Sequence, residues 1–340
     1  TGAINSNWNK KDIWKRHEMK TAIITGVSGQ DGLYLAKFLL EKNYKVVGTL
    51  RSYRRENTEN FEYLGIENQV TIEELDLLDM ANVIRIIQKY NPDEIYNLAA
   101  QSSVGLSFEQ PLGTFSFNTT AVNNLLESIR LFSPSTKLYQ ASSSEMYGKV
   151  KNMPITLETP MHPISPYGVS KMASYFMITT YRESYDLFVC NGVLFNHESF
   201  LRSDNFFVKK VIKNSIQIKN KKLDKLVVGN LNVKRDFGYA PKYIEAMWQM
   251  LQSDKPDDYI ICSGKSILLR DIVEYVFDKL ELDKNLIIEN TDFFRPNEID
   301  EIYGDNSKAV QVLGWKYDYD FYDFYDVLDI LIDEELSNAK

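Results

Sequence analysis

Tyr167 and Lys171 stand four positions apart in Ser165-Pro166-Tyr167-Gly168-Val169-Ser170-Lys171, a spacing that puts both side chains on one face of a helix. An ammonium beside a phenol, next to an oxidised nicotinamide, favours phenolate and lowers the tyrosine pKa. Such a tyrosine can take the proton of a substrate hydroxyl while a hydride leaves the carbon. In a chain with 21 tyrosines the spacing also arises by chance, so its weight depends on what precedes it. Ahead of it lies Ala141-Ser142-Ser143-Ser144-Glu145-Met146-Tyr147-Gly148. Hydroxyls at the carboxyl end of a parallel strand face the usual ligand crevice, so Ser143 is a natural partner for a reacting sugar oxygen. Glu145 adds a carboxylate that simple dehydrogenation does not require. It suits removal of a proton from carbon next to a new ketone; the bland alternative is a turn residue paired with backbone amides.

Near the start stands Gly26-Val27-Ser28-Gly29-Gln30-Asp31-Gly32. Glycines at a strand-to-helix junction permit a tight turn and let a pyrophosphate approach the helix N-terminus. After the second strand the chain reads Leu50-Arg51-Ser52-Tyr53-Arg54-Arg55. An acid there would bind the ribose 2′-OH and a basic residue the 2′-phosphate, so NADP is the expected cofactor. A solvated basic loop is the competing reading. Asp76 could contact the adenine or simply build a turn.

These residues need elements to hold them. Apolar runs at Lys20–Thr25, Lys45–Leu50, Val70–Glu74, Glu94–Ala99, Lys137–Ala141, Leu187–Phe195 and Tyr259–Cys262 read as strands. Helical patterns fall at Gly32–Glu41, Asp79–Tyr90, around Thr119–Phe132, Pro166–Tyr185, near Tyr243–Gln252, Arg270–Leu280 and Phe321–Leu336. The alternation predicts an α/β fold: a Rossmann-like doubly wound parallel sheet with a smaller α/β C-terminal substrate lobe. Residues 19–195 form the expected NADP-binding domain, with 228–262 returning to it; 196–227 and 263–340 form the lobe. Residues 1–18 lack a signal-peptide core and read as an added leader, with Met19 as the natural start. Lys209–Lys225 reads only as a basic segment.

The chain has 340 residues and a net charge of −8. Net acidity argues against nucleic acid, which needs clustered Lys and Arg. No apolar run reaches the roughly 20 residues of a membrane span. Cys190 and Cys262 form no CxxC pair, so neither a disulfide framework nor a metal site is expected, and the expected location is the cytoplasm.

Beyond single motifs, the chain resembles the extended short-chain dehydrogenase/reductases, and within them the GDP-mannose 4,6-dehydratases, from about Lys20 to Trp315. The segments that carry the resemblance include TGVSGQDGLYLAKFLLEKNY, EIYNLAAQSSV, YQASSSEMYGK, SPYGVSK, NGVLFNHES, VGNLNVKRDFGYAPKYIEAMWQMLQ and RPNEIDEIYGD. It implies a catalytic set of Ser143, Glu145, Tyr167 and Lys171. It implies NADP contacts from Gly26, Ser28, Gly29, Gln30, Asp31 and Gly32, from Arg51 with Arg54, and from Asp76 and Leu77. Further cofactor contacts would come from Leu98, Ala99, Ala100, Gln101 and Ser102, and from Tyr167, Lys171, His197 and Arg202. Substrate contacts would come from Ser103, Asn196, Glu198, Lys210, Arg235, Arg295 and Glu298. A homodimer or homotetramer is also implied.

The chain departs from the family pattern in four places. Ser143 stands where the family usually has Thr, and Arg51-Ser52 where many relatives carry two arginines. Ser103 replaces a histidine of the usual QSHV. The usual ESPRRG is Glu198-Ser199-Phe200-Leu201-Arg202-Ser203 here, one arginine short. The implied reaction is an internal redox elimination on a GDP-hexose, GDP-mannose by family default, giving the 4-keto-6-deoxy sugar. GDP-N-acetylglucosamine is the alternative substrate; a UDP-glucuronate decarboxylase, a 4-epimerase and a non-catalytic NADP sensor are the alternative functions.

Overall fold

The computed structural model describes residues 19–52, 59–318 and 323–338. Arg54, Arg55 and the segment 1–18 lie outside the described residues. Strands β1 (Thr21–Thr25), β2 (Lys45–Leu50), β3 (Thr71–Glu74), β4 (Glu94–Asn97), β5 (Lys137–Ser143) and β6 (Val189–Leu194) belong to one sheet. Between them run α1 (Gln30–Glu41), α2 (Glu59–Leu64), α3 (Met80–Tyr90), α4 (Val104–Glu109), α5 (Pro111–Phe132) and α6 (Pro166–Tyr185). After β6 come β7 (Asn196–Glu198), α7 (Phe207–Lys219), β8 (Leu226–Val228), β9 (Lys234–Tyr239), α8 (Ala240–Gln252) and β10 (Tyr259–Ile261). The described chain ends with β11 (Ser266–Leu268), α9 (Leu269–Lys279), β12 (Ile287–Glu289), β13 (Glu301–Ile302) and α10 (Phe324–Asn338).

The large sheet has seven strands in the order β10-β6-β5-β4-β1-β2-β3, each neighbouring pair parallel. Apart from the edge strand β3, its strands are buried on both faces because helices cover both, which is why they read as largely apolar runs. The chain moves outward from β1 to β3 and then crosses back to β4. That reversal opens a crevice at the carboxyl ends of β1 and β4, where ligands of such sheets bind. Thr25, at the end of β1, holds the crevice in shape: its Oγ1 donates to Asn97 Oδ1 at 2.6 Å and accepts from the amides of Leu98 and Ala99.

A second sheet holds β11-β9-β13, with β7 also paired to β9; β8 and β12 form a separate pair. Its core includes Val211, Ile212, Val273, Val276, Phe277 and Leu328. Phe324 of α10 stacks on Phe237 of β9 at 4.9 Å. From β9 the chain returns to the large sheet: the α8 residue Trp248 packs edge-on against Phe38 and donates to Tyr44 Oη, and β10 pairs with β6.

Two helices differ from their sequence pattern for physical reasons. The segment Lys209–Lys225 overlaps α7, whose apolar side chains Val208, Val211, Ile212 and Ile216 are buried; Lys209, buried among them, interrupts the apolar period. Helix α5 starts at Pro111, earlier than the apolar pattern around Thr119–Phe132 indicates, because proline is preorganised for the first helical turn.

Candidate active site

The turn after β1 is built for close approach. Gly26 has φ +67°, and a Cβ there would lie 2.9 Å from Ala99 Cα. A Cβ on Gly32 would fall 2.6 Å from Gly26 O. Helix α1 begins here with no side-chain cap, so the amides of its first turn are directed at the crevice. Facing it, Leu98, Ala100, Ser102 and Ser103 follow β4 and line one wall. A dinucleotide pyrophosphate suits this turn, since the glycines let the backbone close tightly and bring the first-turn amides of α1 up to the crevice.

The crevice continues into a cavity of about 460 Å³. Into it β5 delivers Ser143, the short helical turn Ser144–Met146 delivers Glu145, and α6 delivers Tyr167 and Lys171. The order follows from local chemistry. The Ser143 Oγ caps the turn by accepting from Glu145 N at 3.2 Å. Ser165 caps α6 by accepting from Gly168 N at 3.0 Å, with Pro166 in the first turn. Gly168 permits the approach: a Cβ there would meet Glu145 O at 2.6 Å.

Tyr167 is buried, and burial pushes its hydroxyl up to about 12, with a hydrogen bond to Ser143 pulling the other way. Lys171 is 5% exposed and donates to Ala141 O at 2.8 Å. Burial pushes its ammonium down to about 8, against the pull of Asp31. Its Nζ lies 5.8 Å from the centre of the Tyr167 ring. The ammonium thus stands near the phenol while bonded to Ala141 O, and the tyrosine needs further positive charge to ionise near neutral pH.

A chain of alternating charge closes the other end. Arg295 Nη1 lies 3.9 Å from Glu145 Oε1 and 3.7 Å from Glu298 Oε1. Arg235, on β9, donates to Glu298 Oε1 at 2.7 Å and to the carbonyls of Lys234 and Ile299. Burial lowers its pKa against the pull of Glu145 and Glu298, the mark of a cation removed from water. Lys210 approaches the Phe293 ring at 5.3 Å and has no carboxylate partner among the described residues. Asn196 donates to Asp236 O at 3.3 Å. Two arginines and a lysine around one cavity can hold a diphosphate.

Behind the cofactor turn lies a second charged group. His197 Nε2 sits 2.9 Å from both Asp31 oxygens, and Arg202 Nε is 3.5 Å from Glu198 Oε1. Burial opposes charge on Asp31 and on His197, yet their mutual attraction lowers the first pKa and raises the second. Burial raises Glu198, against the pull of Arg202 and His197.

Several residues expected at the cofactor use their side chains elsewhere. Gln30 bridges to His197 O and Ser199 Oγ. Gln101 donates to Ser103 O and Thr114 Oγ1 and accepts from Ser103 N. Asp76 accepts from Leu78 N at 3.0 Å, a turn role, and Leu77 O accepts from Asn124 Nδ2. Ser103 caps α4 by accepting from Leu106 N. Arg51 is exposed beyond the end of β2. Ser28 and Gly29 line a separate, open recess beside α7. The sequence reading missed Asn118, which grips Gln101 N and O and Ser170 Oγ and so ties the wall after β4 to α6. It also missed Phe293, at the outer end of the cavity and 56% exposed. Neither residue sits in a motif; only the folding of α5 and of the segment after β12 brings them here.

Comparison with known proteins follows the same geometry. The family model described as GDP-mannose 4,6 dehydratase matches residues 23–327. GDP-mannose 4,6 dehydratase 2 of Arabidopsis thaliana is 41% identical over 332 residues, covering 94% of this chain and 88% of that one. The GDP-mannose 4,6 dehydratase of Homo sapiens is 39% identical over 323 residues, covering 87% and 86%. Among solved structures, a UDP-glucose 4-epimerase of Thermotoga maritima superposes with TM-score 0.83 at 20% identity, covering 94% of this chain and 100% of that one. A dTDP-glucose 4,6-dehydratase of Bacillus anthracis, solved with NAD, gives TM-score 0.82 at 20% identity, covering 94% and 97%; both establish the fold. With a family model across most of its length and relatives near 40% identity over most of theirs, this chain belongs to the GDP-mannose 4,6-dehydratase family.

Proposed function

We propose that the protein converts a GDP-hexose, GDP-mannose in the first instance, into the GDP-4-keto-6-deoxy sugar, with NADP as its cofactor. One observation carries the reaction type: Glu145 shares a cavity with Ser143, Tyr167 and Lys171, giving a second proton-transfer group that oxidation alone does not use. A bound dinucleotide would supply a hydride acceptor for C4 and give the hydride back at C6 within the same turnover. Tyr167 takes the proton of the C4 hydroxyl, and the Lys171 charge stabilises the phenolate that this requires. The C4 ketone acidifies C5–H, and Glu145 removes that proton. The C6 hydroxyl leaves as water, Glu145 and Ser143 passing it the proton taken from C5, and the proton held by Tyr167 is the one that replaces it at C5. Arg235, Arg295 and Lys210 hold the diphosphate.

Gly26 to Gly32 and the wall from Leu98 to Ser102 hold the dinucleotide, and Arg51, in place of an acid directly at the end of β2, favours a 2′-phosphate. The two-lobed division expected from the sequence is part of the proposal; of the returning segment 228–262, α8 and β10 go to the cofactor domain, whereas β9 pairs within the smaller sheet. So is a homodimer or homotetramer: Leu112, Phe115, Val169 and Phe176 leave apolar side chains exposed on α5 and α6. Cys190 and Cys262 are buried free thiols, which suits the cytoplasm. The test is mass spectrometry on GDP-, UDP-, CDP- and dTDP-hexoses, with GDP-N-acetylglucosamine and UDP-glucuronate included. Loss of one water from GDP-mannose is the expected outcome. Water loss from UDP-sugars alone, or loss of carbon dioxide from UDP-glucuronate, contradicts the assignment.

A further inference from the structure

Among the described residues the His197 ring faces two acceptors and no donor. Its Nδ1 lies 2.7 Å from Phe195 O, and its Nε2 lies 2.9 Å from both carboxylate oxygens of Asp31. A carbonyl can only accept, so Nδ1 carries a proton; an ionised carboxylate can only accept, so Nε2 carries one as well. Asp31 has reasons to be the ionised partner. It stands in the first turn of α1, where the helix dipole favours negative charge, and Gln30 Nε2 donates to its Oδ1 at 3.1 Å. We propose that His197 is an imidazolium, protonated on both nitrogens and locked to Asp31, and that this ion pair is a positioning latch between the cofactor turn and the strand carrying Asn196 and Glu198.

The latch has a second bolt. Gln30 Nε2 also donates to His197 O at 3.1 Å, and Ser199 Oγ donates to Gln30 Oε1 at 2.7 Å. Both side chains between Gly29 and Gly32 thus grip residues 197–199, while β7 pairs with β9 next to Arg235. Movement of the turn is carried to the substrate socket. Since both ring N–H groups are engaged, His197 has no donor to offer a ligand. The charged and titratable groups around the pair are Glu198 and Arg202 from its own segment, Lys171 and Tyr167 from α6, Tyr139 from β5 and Tyr243 from α8, whose ring stacks on His197 at 4.7 Å. Asp31 and His197 shift in the directions of a stable pair, against burial. The folded pKa of His197 is raised, so its contribution is complete below the unfolded value and is lost as pH rises through the folded one. That of Asp31 is lowered, so its contribution is lost on acidification.

The functional half of the proposal rests on the reading of Gly26–Gly32 as a dinucleotide turn; the protonation state does not. The chain has three histidines, His17, His162 and His197, so ¹⁵N-histidine labelling of the full protein resolves them. Both His197 nitrogens should report N–H at about pH 7.5, where an unperturbed ring is mostly neutral. In Asp31→Asn the His197 titration should fall by about 1 unit or more, a tenfold change in its acid constant. One unprotonated His197 nitrogen in the wild type at that pH, or an unmoved titration in the variant, overturns the imidazolium, and the wild-type measurement needs no variant to fold. Asp31→Asn should weaken NADP binding and raise the KM for the sugar nucleotide together, each by about tenfold, the size expected of a coupling near 1.4 kcal/mol. Weakened NADP binding with unchanged KM overturns the latch. A wild type that binds no dinucleotide refutes the cofactor reading instead and leaves the ring titration to stand separately.

Discussion

Ser143, Glu145, Tyr167 and Lys171 come from one strand end, one turn and one helix, and their packing decides their chemistry. Burial at Lys171 costs stability because its ammonium is pushed down to about 8. The folded protein then binds that proton less tightly than the unfolded chain does. The penalty is full below about pH 8 and vanishes above the unfolded lysine value. Lys171→Met should therefore raise unfolding stability at pH 7 by about 1–2 kcal/mol, allowing for the lost bond to Ala141 O. The same change should lower kcat by at least about a hundredfold; calorimetry and steady-state kinetics read the two effects. In the wild type, kcat/KM should fall as pH rises through about 8, as Lys171 loses its charge. Glu145→Gln should leave C4 oxidation possible and slow water loss by about a thousandfold. A single turnover of that variant should then accumulate reduced cofactor absorbance; normal water loss would refute the role of Glu145. At this scale the sequence reading proposes the four side chains by their order along the chain, and the fold brings them to one cavity. It did not reveal that Gln30 and Asp31 turn toward residues 197–199, because those partners lie 166 to 169 positions away.

Elements hold those side chains through a few tight contacts. Gly26→Ala places a Cβ 2.9 Å from Ala99 Cα at a positive φ, so it should cost about 2–4 kcal/mol of stability and abolish dinucleotide binding. Thermal melting with a cofactor titration checks both. In the smaller sheet, buried Asp236 accepts from Ser263 N, Ser263 Oγ and the amides of Gly264 and Gly304. That carboxylate pins the ends of β10 and β13 beside Arg235. Asp236→Ala should destabilise the protein by about 3–5 kcal/mol, since it orphans buried donors; a denaturant melt measures it. The large sheet was legible because its strands, the edge strand β3 excepted, are buried on both faces and recur between helices. The smaller one was not: β13 has only two residues and β7 three, too few to show a period. Helix α7 was hidden by its lysines, although its buried positions keep helical spacing.

As a whole, the molecule places a cofactor crevice at the switch point of the large sheet and a basic socket beside the smaller sheet, with one cavity joining them. The net charge of −8 averages over that socket. Among the described residues no helix is long and apolar enough to cross a membrane. The exposed side chains on α5 and α6 belong to this scale. Phe176→Glu should convert an oligomer into a smaller species by light scattering after gel filtration, whereas an unchanged mass would move the interface elsewhere. The central claim is that one cavity both removes hydrogen from C4 and expels the C6 hydroxyl. GDP-mannose carrying deuterium at C4, incubated with the protein and catalytic NADP, tests it most directly. The account predicts a product lighter by one water, with the deuterium now on C6 and no net reduction of cofactor. A product of unchanged mass, or one whose deuterium has passed to solvent or accumulated on the cofactor, would contradict it.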